Sequence, residues 1–587
     1  MTTPPEAAPE LAPHRSHLLL IPLAALIAVM PLMRHGCSCG HDFDFHLLNW
    51  MEAAKQFSHG NLHPHWAFTP AFNAGEPRFV FYPPLSWTLG ALLGLLLTHL
   101  PGVGEAAAWS ATPVLFTWIA LAAAGFTMHR LAKEFAGANA ALLAATLYVV
   151  NPYMLFTAYE RTAYAELLAA AWIPLLFLAI LREKVTLPRI ALPVALLWLT
   201  NAPAAVMGSY TLALLAAVRV IAAYRTGLAA CVPNLASQTP DSRHRDALRL
   251  ALKTVAGTAL GFAIAAFYIV PAEFERRFVQ IAMATIAGMG IDRNFLFENT
   301  GTSADELLHD QVLHTASVIA LLMLGTTAIA LAAAWLRRRP RPNVHASPTL
   351  TLAALTAGIA FLLTPPSLPL WRHAPQAIFL QFPWRLLAIL APVLALAVGV
   401  ALNRVSLKFL ATAIASMVLA VALSHPAYRV FQQPCDPEDT ATARLALFHS
   451  SAGTDPTDEY TPASADNDAL TPNDPPWWLA ASATSSPPAL AGPGPAPMHL
   501  SVTAPQAEDL ILNLRDYPAW RISLNGSPAA ARAARPDGLI AIPIPAGPST
   551  IDIHYAHTAD QTAGDAITLI ALATLVVAMR KTNHPNL

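Results

Sequence analysis

Long apolar segments separated by short polar ones run through most of the chain. A helix needs about 20 apolar residues to cross a bilayer, with a usable range of about 17–25. Twelve segments are candidates for membrane spans: 17–33, 110–128, 139–157, 166–182, 188–203, 205–223, 251–271, 312–336, 349–364, 386–402, 407–423 and 565–579. One more apolar segment, 84–99, fits either a span or a helix lying on the membrane surface.

Basic residues decide between these two placements of 84–99, because Lys and Arg gather on the cytoplasmic side of membrane proteins. With a cytoplasmic N-terminus and 84–99 lying flat, every basic cluster falls inside; with 84–99 spanning, every one falls outside. We therefore expect twelve spans, both termini in the cytoplasm and a juxtamembrane helix at 84–99 on the outer face. The clusters are His129-Arg130 with Lys133, Arg182 with Lys184, Arg219 with Arg225, Arg243 with Arg245, Arg337-Arg338-Arg339, Arg404 with Lys408, and Arg580-Lys581.

Three large segments then face outward, 34–108, 272–311 and 424–563. The last of these begins with a region rich in Ser, Ala, Pro, Thr and Asp, which predicts a flexible linker over 424–497. Alternating apolar and polar residues follow, with a turn signal at Asn525-Gly526. The expected domains are an all-α polytopic membrane domain at 1–423, the linker, a small antiparallel β-domain at 498–563, and a last transmembrane helix with a cytoplasmic tail at 564–587.

Composition supports a membrane protein and gives no reason to expect nucleic acid as a partner. Of the 587 residues, 55% are hydrophobic and only 12% are charged, whereas about a quarter of the residues of an ordinary soluble protein are charged. The formal net charge is −1, which provides no basic surface for a nucleic acid. The bilayer is therefore the first expected partner.

The four cysteines do not suggest a disulfide framework, since Cys37 and Cys39 are too close in sequence for an easy bridge. Together with His35 and His41 they offer metal ligands, but the spacing matches no standard zinc pattern, so an ordinary loop is the favoured interpretation. No Ala-x-Ala cleavage site follows the first apolar segment, which predicts a retained anchor at 17–33.

The candidate chemistry lies at the predicted outer ends of the spans, where carboxylates and arginines recur. Carboxylates can act as bases or hold a divalent cation such as Mg²⁺ or Mn²⁺, and arginines bind phosphate. Charged groups are expensive near hydrocarbon, so such residues suggest function. The charged candidates are Asp42, Asp44, Glu160, Arg161, Glu166 and Arg385.

The first span, the acidic outer loop and Phe81-Tyr82-Pro83-Pro84-Leu85 before the interfacial helix resemble the GT-C superfamily of membrane glycosyltransferases, which includes oligosaccharyltransferases. Four sequence patches show a closer resemblance to one bacterial family. They are Gly40-His41-Asp42 with His46, the segment from Gly60 through Gly75-Glu76-Pro77 to Tyr82-Pro83-Pro84, Tyr159-Glu160-Arg161 through Glu166, and Leu380 to Arg385. The patches are most similar to a bacterial multispanning family labelled "6-pyruvoyl-tetrahydropterin synthase-related". A fifth patch, Tyr517-Pro518-Ala519-Trp520, is similar to that family's C-terminal β-domain.

The resemblance implies transfer of a sugar from a polyprenyl-phosphate-linked donor to a glycan, lipid or protein acceptor, on the outer face of a bacterial inner membrane. The donor and the acceptor are then the further partners. Asp42 would be the reactive carboxylate, with Asp44 second, and the two would hold any metal. Glu160 or Glu166 would supply another acidic group, and Arg161 or Arg385 would stabilise the leaving phosphate.

The other candidate binding residues are His46, His65, Trp66 and Tyr82. His46 would orient Asp42 or bind phosphate, and the two aromatic residues would stack on a sugar.

Simpler interpretations stay open for each residue. Asp is a good helix N-cap, Glu160 and Arg161 suit an ion pair at a span end, Arg385 suits contact with lipid headgroups, and aromatic residues are common at membrane interfaces. Two other functions also stay open. A transporter or flippase is disfavoured because the chain shows no internal repeat, and a non-catalytic envelope assembly protein would use the β-domain to bind a partner.

Overall fold

The computed structural model describes residues 15–229, 240–285, 290–298, 301–337, 348–403, 405–481, 492–529 and 532–583. Arg338, Arg339 and Arg404 of the predicted cytoplasmic clusters lie outside these ranges. The described part is mostly helical, as predicted. Its helices are α1 (Leu20–His35), α2 (Phe43–Ser58), α3 (Arg78–Phe81), α4 (Pro84–Thr98), α5 (Glu105–Ala132), α6 (Ala138–Val149), α7 (Pro152–Tyr159), α8 (Tyr164–Ala169), α9 (Ile173–Leu181), α10 (Leu187–Thr200), α11 (Ala202–Ala229), α12 (Pro240–Ile264), α13 (Ala266–Glu275), α14 (Ala304–Leu336), α15 (Pro348–Leu362), α16 (Leu368–His373), α17 (Leu387–Leu402), α18 (Phe409–Phe431), α19 (Ala441–His449) and α20 (Ala559–Asn583).

Within the described residues, ten helices or helix pairs are long and apolar enough to cross a membrane, and eleven if α15 and α16 form one span. Those two are bent by 96° at the intervening prolines, so the predicted span at 349–364 is not a straight helix but a broken span or a re-entrant loop. The predicted span at 188–203 corresponds to α10, which has 14 residues. At 1.5 Å per residue α10 is about 21 Å long, shorter than the roughly 30 Å hydrocarbon core.

The ambiguous apolar segment 84–99 forms α4, a helix of 15 residues that is also too short to count among the spans. Two glycines allow it to lie close to its neighbours. A Cβ at Gly90 would lie 2.2 Å from the Trp50 ring on α2, and one at Gly94 would lie 2.4 Å from the Trp109 ring on α5. α4 is therefore packed tightly between these two helices.

Seven strands near the C-terminus form two small antiparallel sheets, as the alternating pattern predicted. One sheet has the order β1-β3-β6 and the other β2-β7-β4-β5. Asn525 and Gly526 have positive φ values of 52° and 78° and make the turn between β4 and β5, as expected for an Asn-Gly hairpin. The strands are β1 (Trp477–Leu479), β2 (His499–Ala504), β3 (Glu508–Arg515), β4 (Trp520–Leu524), β5 (Ser527–Pro528), β6 (Leu539–Ile544) and β7 (Gly547–Tyr555).

The segment predicted as a linker, 424–497, contains regular structure. The end of α18 and all of α19 lie within it, and Thr440 caps α19 by accepting a hydrogen bond from the Ala443 N–H. β1 also lies within it and pairs with β3, because Trp477-Trp478-Leu479 supplies apolar side chains that the Ser- and Pro-rich composition around them obscures. Residues 482–491 of the predicted linker lie outside the described part.

A buried carboxyl group joins the β-domain to the membrane helices. Glu275, at the end of α13, is fully buried and accepts hydrogen bonds from the Tyr517 hydroxyl, from Thr558 Oγ1 at 3.3 Å and from Gln561 Nε2 at 2.9 Å. Burial raises the pKa of Glu275 to about 7, against hydrogen bonds that lower it. The carboxyl group therefore connects α13, the β-domain and the start of α20.

Candidate functional site

Asp42 precedes α2 at the edge of the first membrane helix. It occupies the N-cap position, but its side chain accepts no capping hydrogen bond. Asp42 Oδ1 instead lies 2.7 Å from Nδ1 of His41, and the Asp42 side chain is 33% exposed. The structural alternative of a helix cap therefore loses its support, and the carboxylate is accessible to a ligand.

The packing of residues 38–40 places Asp42 beside Arg161. Ser38 Oγ donates to the Tyr159 carbonyl at 2.6 Å, and the Asp42 N–H donates to the Arg161 carbonyl at 3.0 Å. Gly40 is required for this close approach, since a Cβ there would lie 2.2 Å from the Glu160 carbonyl oxygen.

A disulfide joins Cys39 to Cys435, which corrects the expectation that the cysteines form no bridge. No pattern in the sequence indicates this pair, because the two residues are 396 positions apart. The Cys39 N–H also donates to the Gln433 carbonyl at 3.1 Å. Disulfides persist in oxidising compartments, so this bond agrees with the predicted outer location of both segments.

The pKa of Asp42 lies well below its ordinary value. Burial by itself raises it, but the hydrogen bond with His41 and the positive charges of His41 and Arg161 outweigh burial. The same contact raises the pKa of His41. Asp42 therefore carries a negative charge at neutral pH and acts only as a hydrogen-bond acceptor there.

Arg161 is buried and held by Glu166. Its Nη1 donates to Glu166 Oε2 at 2.7 Å, while the Tyr153 hydroxyl donates to Glu166 Oε1 at 2.5 Å. The guanidinium carbon lies 5.0 Å from the centre of the Trp384 ring. Both oxygens of Glu166 are thus occupied, and this predicted catalytic residue instead positions Arg161.

The backbone between Arg161 and α8 is itself unusual, since the next residue, Thr162, has a φ of +47°. β-branched residues rarely adopt this left-handed conformation, and such strain is found preferentially at functional sites.

Arg385 lies in the turn Pro383–Leu386, directly before α17. Its guanidinium stacks over the Phe382 ring at 5.1 Å and interacts electrostatically with Arg161, Glu166 and Asp42. Its Nε atom is buried and has no hydrogen-bond partner, and no carboxylate among the described residues pairs with it within 4 Å. A buried donor without a partner is costly, and an anionic oxygen would satisfy it.

Aromatic rings and a neutral histidine line the other side of the site. The centre of the His46 ring lies 5.8 Å from that of Tyr82 and 5.4 Å from that of Tyr164. Burial lowers the pKa of His46 to about 4, so the ring is neutral and does not attract phosphate by charge. Burial raises the pKa of Tyr82 well above its ordinary value, and the charge of Asp42 raises it further, so the phenol keeps its proton.

Asp44 and Glu160 point to other partners. Asp44 lies 3.6 Å from the guanidinium of Arg444 on α19, which also contacts Asp439. Glu160 hydrogen-bonds to Gln433, and burial raises its pKa. Neither carboxylate contacts Asp42, although the charge of Asp44 acts on His46.

The described residues include no group of three or more His, Cys, Asp or Glu side chains able to hold a metal ion. The predicted pair Asp42 and Asp44 is divided between His41 and Arg444. The residues present therefore do not fit a cation held by these two carboxylates.

His65 and Trp66 belong to a different region, the contact between the first outer segment and the β-domain. The His65 ring stacks on Tyr555 with centres 5.6 Å apart, and Trp66 lies 5.6 Å from Tyr517 and 5.3 Å from Trp520. Burial, with smaller effects of neighbouring histidines, lowers the pKa of His65 to about 3. These two predicted substrate-binding residues are instead covered by protein.

His309, near the start of α14, lies near the site but was not among the residues predicted from the sequence. Its Nε2 lies 2.7 Å from Asn294 Oδ1, its ring centre lies 5.5 Å from that of Phe382, and it interacts electrostatically with His41. A single histidine in the first turns of a long apolar helix gives no sequence signal that could have assigned it to the site.

Comparison with known proteins finds likeness only among solved structures. No protein-family model matches the chain, and no curated protein sequence matches it. The likeness to the pterin-synthase-related family stays a prediction.

Three matched structures illustrate the range. The apo oligosaccharyltransferase of Archaeoglobus fulgidus is 14% identical with a TM-score of 0.39, and the match covers 72% of this chain and 57% of that one. The arabinofuranosyltransferase AftD from Mycobacteria is 17% identical with a TM-score of 0.43, and the match covers 76% of this chain and 29% of that one. ArnT from Cupriavidus metallidurans bound to undecaprenyl phosphate is 11% identical with a TM-score of 0.27, and the match covers 73% of this chain and 90% of that one. The chain thus spans little more than half of the first protein and less than a third of the second.

Proposed function

We propose that the chain is an integral-membrane glycosyltransferase that uses a polyprenyl-phosphate-linked sugar. The supporting observation is the ionised, accessible Asp42 carboxylate, which interacts electrostatically with Arg385, whose buried Nε lacks a partner. This arrangement offers a hydrogen-bond acceptor for an alcohol and a cationic donor for a phosphate within one site. Placement on the outer face of a bacterial inner membrane, with both termini cytoplasmic, is part of the proposal.

In the reaction, an acceptor hydroxyl oxygen forms a bond to the anomeric carbon while the bond from that carbon to the phosphate oxygen breaks. The electron pair of the broken bond leaves with the polyprenyl phosphate. Arg385 and Arg161 stabilise the negative charge that develops on this phosphate. The acceptor can be a glycan, a lipid or a protein, since the site residues do not distinguish them.

Asp42 accepts the hydrogen bond of the acceptor hydroxyl and takes its proton as the new bond forms. A carboxylate with a depressed pKa is a weak base. It therefore takes the proton late, when the attacking oxygen already carries positive charge. His41 holds the carboxylate in place through its 2.7 Å contact.

Replacement of Asp42 tests the proposal. With purified protein and a panel of radiolabelled undecaprenyl-phosphate sugars, we expect Asp42→Asn to reduce transfer and the release of undecaprenyl phosphate at least about 100-fold. The melting temperature should stay within a few degrees of wild type, because the side chain caps no helix.

Asp44→Asn is the matched control, since Asp44 pairs with Arg444, and it should retain transfer. Full activity of Asp42→Asn on a donor that the wild type uses would overturn the proposed role of Asp42. No transfer by the wild type across the panel, with transport of a labelled sugar into sealed vesicles, would overturn the enzyme assignment itself.

A further inference from the structure

A cavity of about 600 Å³ lies at the opposite end of α2 from Asp42. The last turns of α2, the end of α4, the start of α5 and the end of α19 line it, together with loop residues 68–69, 73, 450–451 and 493–495. Asp42 and Lys55 are 13 residues apart, which corresponds to about 20 Å along a helix. None of the residues around Asp42 lines this cavity, so it is a separate site.

We infer that this cavity binds a segment of an acidic glycan, one that carries a carboxylate or phosphate group. The inference concerns binding alone and does not depend on glycosyl transfer at Asp42.

Two partly exposed aromatic side chains in the cavity wall, Phe68 and Phe448, offer surfaces to the apolar faces of sugar rings. Trp109 also lines the wall but is only 4% exposed, and the tight contact with Gly94 described above fixes it in place. It therefore shapes the cavity without offering a free ring face. Rigid aromatic surfaces with a few placed polar groups are typical of small-molecule sites, and the volume lies in their usual range of about 300–1,000 Å³.

Polar side chains also line the wall, which suits a ligand rich in hydroxyl groups better than a lipid chain. They are Ser58, Thr69, Asn73, Ser450 and Ser451. The first four already donate to protein oxygens, so their oxygens remain as acceptors. The hydroxyl groups of a sugar can donate to these acceptors, whereas a hydrocarbon chain cannot. This mixture favours a glycan over an acyl or prenyl chain.

Lys55 adds the preference for an acidic group. Its ammonium group lies 5.6 Å from the centre of the Phe448 ring, and no carboxylate among the described residues pairs with it within 4 Å. The carboxylate in the same wall, Glu105, is instead paired with His449 at 3.1 Å. The ammonium group is therefore available to an anionic group of a ligand that stacks on Phe448.

Binding to the full-length protein in detergent tests the inference, with a fluorescent oligouronate and a neutral oligosaccharide of the same length as probes. We expect the wild type and Asp42→Asn to bind the oligouronate equally. Lys55→Gln should weaken oligouronate binding about tenfold and leave the neutral probe unchanged, whereas Phe448→Ala should weaken both. Lys133→Gln, an exposed lysine outside the cavity, should change neither.

Three results would overturn the inference. One is absence of oligouronate binding to the wild type, and another is equal weakening by Lys55→Gln and Lys133→Gln. The third is a Lys55-dependent response to nanodiscs of anionic phospholipid without any response to the soluble oligouronate, since that result would assign Lys55 to lipid headgroups. Because Asp42→Asn keeps the cavity, failure here is distinguishable from failure of the proposed transfer reaction.

Discussion

The two halves of the first outer segment contain similar residue types but lie in different surroundings. Around Asp42, the carboxylate is one-third exposed and the nearby Arg385 has a buried donor without a partner. Around Trp66, by contrast, the rings of Tyr517 and Trp520 cover the side chain, which is 2% exposed. A polar or aromatic residue in an outer loop indicates function only when its contacts leave a hydrogen-bonding group or a ring surface free for a ligand.

The arginines of the two regions differ in the same way, since Arg78 has partners where Arg385 has a donor without one. In the second half, Arg78 donates to Glu76 at 2.6 Å, to Asn49 at 2.8 Å and to Thr457 at 2.7 Å. This guanidinium holds the loop to α2 and to the segment before the β-domain. The first half is therefore the candidate site, and the second half is the support that carries the β-domain.

The largest expected effect is a loss of stability in the second half of the first outer segment, which supports the β-domain. Trp66→Ala leaves a cavity among Tyr517 and Trp520, and the loss of a buried aromatic side chain costs about 3–5 kcal/mol. Thermal unfolding in detergent should show a lower melting temperature, while undecaprenyl phosphate still binds to the intact membrane domain. Trp66→Phe should recover most of the stability. Loss of lipid binding in both variants at a temperature where they remain folded would break the division between the two regions.

The buried Glu275 should make the support sensitive to pH. Its pKa is about 7 in the folded protein against an ordinary 4.5, so its contribution to stability is full below pH 4.5 and is lost as the pH rises through 7. At 1.36 kcal/mol per unit, the loss is on the order of 3 kcal/mol. Glu275→Gln should remove this dependence in unfolding measurements between pH 5 and 8.

The groups facing Glu275 are Tyr517, Thr558, Asp560 and Gln561, and of these Asp560 carries the other carboxyl group. Glu273→Gln is the control, because that side chain is exposed and pairs with Arg276 at 2.9 Å. An unchanged pH profile in Glu275→Gln would contradict the assignment.

A smaller effect is expected at the phosphate-binding end of the candidate site. Arg385→Lys keeps a positive charge but loses the planar fork and its Nε–H. We expect about tenfold weaker binding of undecaprenyl phosphate, equivalent to about 1.4 kcal/mol, with unchanged unfolding of the β-domain. Arg277→Lys is the matched control, since that guanidinium also stacks on aromatic rings, Phe274 and Phe278. Equal weakening in both variants would indicate a general effect of outer-face charge.

The smallest effect is expected for Asp44, which resembles Asp42 in sequence and differs from it in contacts. Its pair with Arg444 is partly exposed, and such pairs contribute about 0–1 kcal/mol. Asp44→Asn should therefore change stability by less than about 1 kcal/mol, measured by thermal unfolding. A change comparable with that of Trp66→Ala would show that Arg444 and α19 depend on Asp44.

Patterns with a fixed period could be predicted from the sequence. Apolar length gave most of the membrane helices, and alternation with Asn525-Gly526 gave the hairpin of the β-domain. The ends of individual helices were harder to predict, because α10 and the pair α15 and α16 are apolar like the longer candidate spans. Pro365 and Pro366 lie at the bend between α15 and α16.

The candidate site was predictable where residues share a span end. Asp42, Arg161 and Arg385 were expected at one depth, and the structure brings them together. Glu160 precedes Arg161 directly, yet its side chain leaves the end of α7 in another direction and meets Gln433. Sequence adjacency cannot distinguish these two directions.

Residues joined only by tertiary packing were beyond reach. His309 comes from a helix far along the chain, and the partner of Cys39 lies beyond most of the membrane helices.

The bond between Cys39 and Cys435 has a consequence for the order of assembly during synthesis. At about 5–20 residues per second, the 396 residues between the two cysteines take roughly 20–80 s to be made. Through that interval Cys39 is a thiol with Cys37 two residues away, and it can pair with its native partner only after α18 has been inserted. The segment that carries Asp42 is therefore completed near the end of biogenesis, and a ribosome-bound chain that ends before residue 435 should lack this closure.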